Sequence, residues 1–343
     1  MTMKANTVLD FPAGNTHRSR RHALKILAAA VALPAGILAV RSVSAGYEVA
    51  TWHGQSMGGL ASLTLWHPRQ GYARHTIARL RTEIERLESI FSLCQPGSEI
   101  ARLNQAGRIA APSSDLVAVL EDSRTIADLS GGAFDPTVQP LWTLYEGHFR
   151  DHPGLASGPD QRLIDATLPL VDYTAIDSSR RRIAFLHPGM SVTLNGIAQG
   201  YITDRIADLL RNEGYEHAMV EVGETRALGD AIDGRPFSIG LRDPQEPETI
   251  SRTIDLADQA LSVSGGYGTR FGASGSHHIF RPDTGRSANG LLDVTVIAPR
   301  AVWADALSTA IYVAGEGAAP RLLAAYPDAR ALVTRPDGSS AAI

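Results

Sequence analysis

Two apolar rhythms are interspersed along this chain without a strict βαβ alternation, and that irregularity constrains the fold more than any other feature. From Tyr72 to Phe91 the residues Ile77, Leu80, Ile84, Leu87 and Phe91 recur three or four positions apart, which draws a stripe on one face of a helix. A second helical pattern runs from Asp115, a good N-cap, through Leu116, Val119, Leu120 and Ile126 to Leu129, and Gly131 with Gly132 stops it. A third follows Gln199 with Ile202, Ile206, Leu209 and Leu210, and the chain returns to helix around Ala304 to Val313. Between these lie short β-like runs bounded by Gly, Pro or Asp: Ala218 to Val222, Phe237 to Leu241, Ala260 to Val263 and Val294 to Ala298. The mixture predicts an α+β domain with a mixed β-sheet, not a doubly wound one. His148 to Asp160, rich in Gly, Pro, His and Asp, reads as a long surface loop.

Composition narrows the partners. The chain has 343 residues, 44% hydrophobic and 20% charged, the balance of a protein with a sizeable core. A formal net charge of -4 gives no broad electrostatic reason to expect nucleic acid as a partner. Cys94 is the single cysteine, so neither an intramolecular disulfide nor a thiolate metal cluster is possible, and the reading makes it a small buried or half-buried residue.

At the amino terminus Ser19, Arg20 and Arg21 precede Leu24 and Lys25, and an uncharged run of about 15 residues from Ile26 to Val40 follows. That is the layout of a twin-arginine export signal, too short to span a bilayer. Val43, Ser44 and Ala45 supply small residues for cleavage. The expected organisation is a signal over residues 1–45, one domain over 46–343, and a periplasmic location.

Familiar catalytic signatures are missing: no G-x-G-x-x-G opening a helix, no P-loop, no H-E-x-x-H and no G-x-S-x-G. His277 and His278 are adjacent, so on an extended segment they point to opposite faces and do not readily share a metal. Five polar, glycine-rich segments remain. In G-G-A-F-D-P-T-V, Asp135 and Thr137 bracket a proline after a helix stop, which suits an Asx turn as well as a site. In L-N-G-I-A-Q-G-Y-I-T-D-R, a strand end runs through two glycines into a helix start, where free N–H groups suit an anion such as pyrophosphate. S-V-S-G-G-Y, from Ser262 to Tyr267 and including Ser264, offers hydroxyls and an aromatic around a phosphate or a flat ring. S-H-H-I-F-R-P-D-T-G-R places His278, Arg281, Asp283 and Thr284 in a turn, where the arginines suit either phosphate or an ordinary ion pair. In W-A-D-A-L-S-T-A, Asp305 and Thr309 lie four apart on a helix, a carboxylate and a hydroxyl on one face, hard oxygen donors suited to magnesium.

Taken in this order, the segments resemble the FAD:protein FMN transferase (ApbE) family, whose members show F-D-P-T, G-I-A-[KQ]-G, S-G-x-Y, H-I-x-x-P-x-T-G and A-D-A-L-x-T. H-G-Q-S-M-G-G around Met57 and S-E-I-A-R-L-N ending at Asn104 look like the family's first flavin-contacting stretches. I-F-S-L with W-H-G, T-L-N-G-I-A-Q-G and V-G-E-T-R-A-L-G resembles the subgroup called NosX, accessory to nitrous oxide reductase systems. Three positions depart from the family pattern: Gln199 where lysine is common, Asn195-Gly196 in place of a glycine pair, and Val222-Gly223-Glu224 in place of G-G-D or G-G-E.

The resemblance implies a single-domain α+β fold that holds FAD in a cleft and moves its FMN moiety onto a Thr or Ser hydroxyl of a partner flavoprotein. It implies Mg2+ held by Asp305, Thr309 and the main-chain carbonyl of Ala198, with Met57, Asn104, Glu224, Ser264, Tyr267 and His278 near the flavin nucleotide and Asp135 and Thr137 near the cleft. His278 and Asp305 stand as the catalytic pair, and whether His278 binds phosphate, orients the acceptor or carries a proton stays open. The subgroup resemblance makes the acceptor a membrane-bound, NosR-like flavoprotein of denitrification. Alternatives from other classes are a non-catalytic FAD-binding or maturation protein and an FAD pyrophosphatase.

Overall fold

The computed structural model describes residues 30–32, 46–69, 71–246, 248–272 and 275–343. Eight strands form the main sheet: β1 (Glu48–Ser56), β2 (Gly59–His67), β3 (Ala218–Val222), β4 (Thr225–Leu228), β5 (Ala260–Gly265), β6 (Asp293–Ala298), β7 (Arg330–Thr334) and β8 (Ser340–Ala342). Their order across the sheet is their order in the chain, and every neighbouring pair is antiparallel. Two-residue alternation along the strands covers both faces. Leu63, Leu65, Val220, Val294 and Val296 point into the main core under the helices, while Trp66, Met219, Ala227, Leu261 and Ile297 point to the opposite face. There the strands Phe237–Arg242 and Ile250–Leu256 cover them, with Ala30–Ala32 running antiparallel beside Phe237–Arg242. Apart from that short strand, the export signal read over residues 1–45 lies outside the described residues.

Long excursions leave this meander at two points and carry the helices: α1 (Tyr72–Phe91), α2 (Glu99–Ala106), α3 (Ser114–Ser130), α4 (Gln139–Asp151), α5 (Gln161–Thr167) and α6 (Ala198–Asn212) between β2 and β3, and α7 (Ala301–Ala314) and α8 (Ala319–Leu323) between β6 and β7. The stripe read over Tyr72–Phe91 forms α1, with Ile77, Leu80, Ile84, Leu87 and Phe91 buried. Asp115 is not the cap of α3. Ser113 is, accepting from the Leu116 N–H at 3.2 Å, while Asp115 sits in the first turn and accepts from Tyr201 Oη at 2.7 Å. The loop expected from His148 begins later, because α4 continues to Asp151 around the buried ring of Phe149. Cys94 is exposed, contrary to the sequence reading, because it follows the end of α1 in a short polar connection to α2.

Helices α6 and α7 start beside one another and exchange caps. Asp204 of α6 accepts from the N–H groups of Ala301 (2.9 Å) and Val302 (3.1 Å), which open α7. Asp305 of α7 accepts from the Gly200 N–H at 2.9 Å in the first turn of α6. Such caps satisfy donors that a helix leaves unpaired. The approach is close enough that a β-carbon on Gly200 would lie 2.3 Å from the Ala301 carbonyl oxygen. Gly200→Ala is therefore expected to cost about 1–3 kcal/mol, since backbone must move to admit one methyl; a urea melt within error of wild type would show that the helices separate freely.

Candidate functional site

The exchange of caps places α6 and α7 at the floor of a cleft enclosing about 1350 Å³, its mouth included. Its walls come from the Phe134–Val138 segment, Trp142 on α4, the β3–β4 turn at Gly223 and Glu224, the Ser264–Thr269 turn after β5, and His278–Phe280. Segments far apart in sequence thus converge, and they include all five motifs singled out above.

Asp305 and Glu224 form the acidic end. Asp305 is 3% exposed, and burial raises its carboxyl to about 7 although the Gly200 N–H favours the charged form. Burial also holds Glu224 well above the usual carboxylate range; repulsion from Asp305 adds to this, and a hydrogen bond from Ser262 opposes it. Among the described residues no lysine or arginine lines the cleft. Ser264 and Thr309 continue the polar floor, Ser264 Oγ lying 3.1 Å from Thr309 Oγ1, and behind them Ser264 Oγ lies 2.7 Å from the buried Ser308 Oγ, itself 3.2 Å from the buried Ser262 Oγ. Gln199, 5% exposed, lines the same floor, and its Nε2 has no hydrogen-bond partner among the described residues.

His278 stands across the cleft. Its Nδ1 lies 3.2 Å from the Thr269 carbonyl oxygen, which can only accept, so Nδ1 carries the proton and Nε2 keeps its lone pair. Burial, reinforced by the neighbouring His277, lowers the ring to about 4, so it is neutral at ordinary pH. Ring NMR of the free protein should give a His278 midpoint near 4, neutral above it and cationic below; a midpoint near 6.5 would mean the imidazole is solvated. Half-buried Tyr267 and Trp142 offer aromatic surface, Trp142 meeting His278 edge-on at 6.2 Å.

Asp135 lines the cleft as an Asx turn: its Oδ1 accepts from the Thr137 N–H at 2.7 Å and from the Thr137 hydroxyl at 2.5 Å, and its Oδ2 accepts from the Tyr173 N–H at 3.2 Å. Thr137, fully buried, does not line the cleft. Nor does Asn104, whose amide closes on Val192, donating to its carbonyl at 2.8 Å and accepting from its N–H at 2.7 Å. Met57 occupies the β1–β2 turn, its N–H donating to Glu88 at 2.5 Å, and Ala198 opens α6 next to Gln199. Arg281 turns outward into an exposed pair with Asp283 at 2.6 Å. Among the described residues no group of three His, Cys, Asp or Glu side chains converges, so a cation here would rely on hydroxyl and main-chain oxygens as well. The sequence reading missed Trp142 and Phe134; an aromatic one turn into the helix after F-D-P-T was the available signal.

The sequence model of the ApbE family matches residues 57–333. The FAD:protein FMN transferase of Haemophilus influenzae is 28% identical over 279 residues, covering 76% of this chain and 81% of the relative, and that of Vibrio cholerae is 31% identical over 248 residues, covering 69% and 74%. Among solved structures, the flavin transferase ApbE from Vibrio cholerae superposes with a TM-score of 0.74 at 25% identity, covering 87% of this chain and 97% of that one. The ApbE protein from Thermotoga maritima gives 0.75 at 26%, covering 86% and 96%. With the family pattern running through the cleft and the fold shared over nearly the full length of both structures, this chain belongs to the ApbE family.

Proposed function

We propose that the protein transfers the FMN moiety of FAD to a Thr or Ser hydroxyl of a partner flavoprotein in a magnesium-dependent reaction. The observation that carries this reading is the acidic end of the cleft: the buried Asp305 and the half-buried Glu224 stand together, repulsion from Asp305 raises the Glu224 carboxyl, and among the described residues no cationic side chain lines the cleft to offset them. A divalent cation fits that deficit, with Asp305, Thr309 and the Ala198 carbonyl to hold it. When bound it supplies charge neutralisation at the pyrophosphate. Tyr267, Trp142 and Phe134 would provide flat apolar surface for the isoalloxazine, and the Ser264 hydroxyl beside Thr309 would be available to a phosphate.

His278 sits with its Nε2 lone pair free to accept the acceptor hydroxyl's proton. The hydroxyl oxygen then bonds to the phosphorus of the FMN half, the bond from that phosphorus to the bridging oxygen breaks, and AMP leaves with the bridging oxygen. The export signal over residues 1–45 supports a periplasmic protein, and the NosX-like segments support a membrane-bound, NosR-like flavoprotein as acceptor.

The test mixes the purified protein with FAD, Mg2+ and a candidate periplasmic flavoprotein and reads intact mass. An FMN-sized gain on the acceptor that disappears with chelator is the expected result. Release of free FMN without that gain would make the protein a pyrophosphatase, and tight FAD binding with neither outcome would make it a carrier.

A further inference from the structure

His277 is the buried neighbour that the transfer reaction does not use. It is 4% exposed, and its imidazole touches three of the segments that build the cleft. Its Nε2 lies 2.7 Å from the Ala288 carbonyl oxygen and 3.1 Å from Asn289 Oδ1, and its Nδ1 accepts from the Ile279 N–H at 3.3 Å. The ring is therefore the Nε2–H tautomer, opposite to that of His278. Its main chain is clasped too: the His277 N–H donates to Ser287 Oγ at 2.8 Å, and that hydroxyl donates back to the His277 carbonyl at 2.7 Å. The flat side of the ring lies against Gly266, where a β-carbon would sit 2.6 Å from Cδ2. The Gly266 N–H donates to Tyr312 Oη at 3.1 Å, and the Tyr312 ring meets His277 edge-on at 5.9 Å. Tyr312 belongs to α7, the helix of Asp305 and Thr309.

We infer that His277 is a positioning residue for the transfer reaction, an inference that rests on the function proposed above. Its imidazole fixes His278 and the Gly265–Gly268 turn relative to α7, and so fixes the distance between the proton-accepting nitrogen and the acidic end of the cleft. Only an imidazole gives one donor and one acceptor across a ring thin enough to lie on Gly266. Phenylalanine keeps the outline and leaves the Ala288 carbonyl and the Ile279 N–H without partners. Because displacing reacting groups by about 1 Å costs roughly 10²-fold in rate, the loss should fall on turnover and spare binding.

The experiment compares wild type with His277→Phe by long-range 1H–15N spectra of the histidine rings and by transfer kinetics, with thermal melts confirming that the variant is folded. Expected are an Nδ1–H His278 in wild type, loss of that single tautomer in the variant, and a fall in kcat of about 10²-fold with KM for FAD within about threefold. If His277→Phe does not fold, His277→Gln, which returns a donor toward Ala288, takes its place. The inference is overturned if the folded variant keeps His278 in the Nδ1–H tautomer with kcat near wild type. It is equally overturned if kcat and FAD affinity fall together in step with the folded fraction. The ring spectra need no turnover, so a wild-type protein that transfers no FMN would overturn the proposed function and leave the tautomers to judge His277.

Discussion

Replacing Asp305 with Ala should reduce FMN transfer by about 10³-fold or more at saturating FAD and Mg2+, because it removes the carboxylate that caps α6 and that we propose holds the cation. Asp305→Asn separates the two roles. Its amide oxygen still accepts from the Gly200 N–H, so the helix start is kept while the charge is gone. The carboxyl of Asp305 stands at about 7, above its reference of 3.8. A raised carboxyl contributes stability that is fully present below the unfolded value and is lost as pH rises through about 7. Above that pH, without metal, the folded protein carries a buried charge that Asn does not. Asp305→Asn should therefore be inactive yet more stable than wild type by about 1–2 kcal/mol at pH 8 in chelator, a site where activity and stability oppose each other. Urea melts at pH 8 and pH 5 measure it: the stabilisation should shrink at the lower pH. A variant less stable than wild type at pH 8 would show that the protein itself already compensates the charge.

Asp204→Ala should be the most destabilising single change at the helix crossing, by about 3–5 kcal/mol, since removing one partner of a buried pair leaves the other charge uncompensated. The carboxylate is fully buried between Arg226, itself 3% exposed, and Arg300, whose Nε lies 3.2 Å away. It also accepts from both N–H groups that open α7, so no other group in the described residues replaces it there. Asp208, 3.7 Å from Arg226, can take up part of the charge. The variant's urea midpoint, read with an unchanged slope, gives the loss directly. A shift below about 1 kcal/mol would mean that α7 is held by its apolar packing alone.

Where periodicity was strong, the sequence was legible. The stripe over Tyr72–Phe91 and the runs Ala218–Val222 and Val294–Ala298 became α1, β3 and most of β6 because burial on one face or on both leaves an unmistakable spacing. Strand β1 was not read: half of it is exposed at the sheet edge, and Gly54, His53 and Gln55 dilute its alternation. Helix α4 was hidden by Pro140 near its start and Gly147 inside it, residues that weaken a helical pattern although tertiary packing around Tyr145 and Phe149 overrides them. The Asx turn at Asp135 and the shared face of Asp305 and Thr309 are local and could be inferred from spacing. The mutual repulsion of Glu224 and Asp305 could not, because proximity between a turn and a helix so far along the chain is a property of the meander. The same holds for His277, which reads as a spare histidine until its carbonyl partner and its glycine are seen.

The exchange of caps between α6 and α7 also sets a timetable for the nascent chain. Asp204 emerges from the ribosome well before the N–H groups of Ala301 and Val302 that it caps, a separation of 97 and 98 positions. Strand β6, which leads into α7, can be fixed on both sides only after β7 at Arg330–Thr334 has been made. Contacts of such long range are late events in folding. The floor of the cleft is thus completed only once β7 has been made, and a chain truncated before α7 lacks half of that floor. A ligand that needs this floor can therefore bind only after β7 has joined the sheet, long after the first half of the cleft has been synthesised.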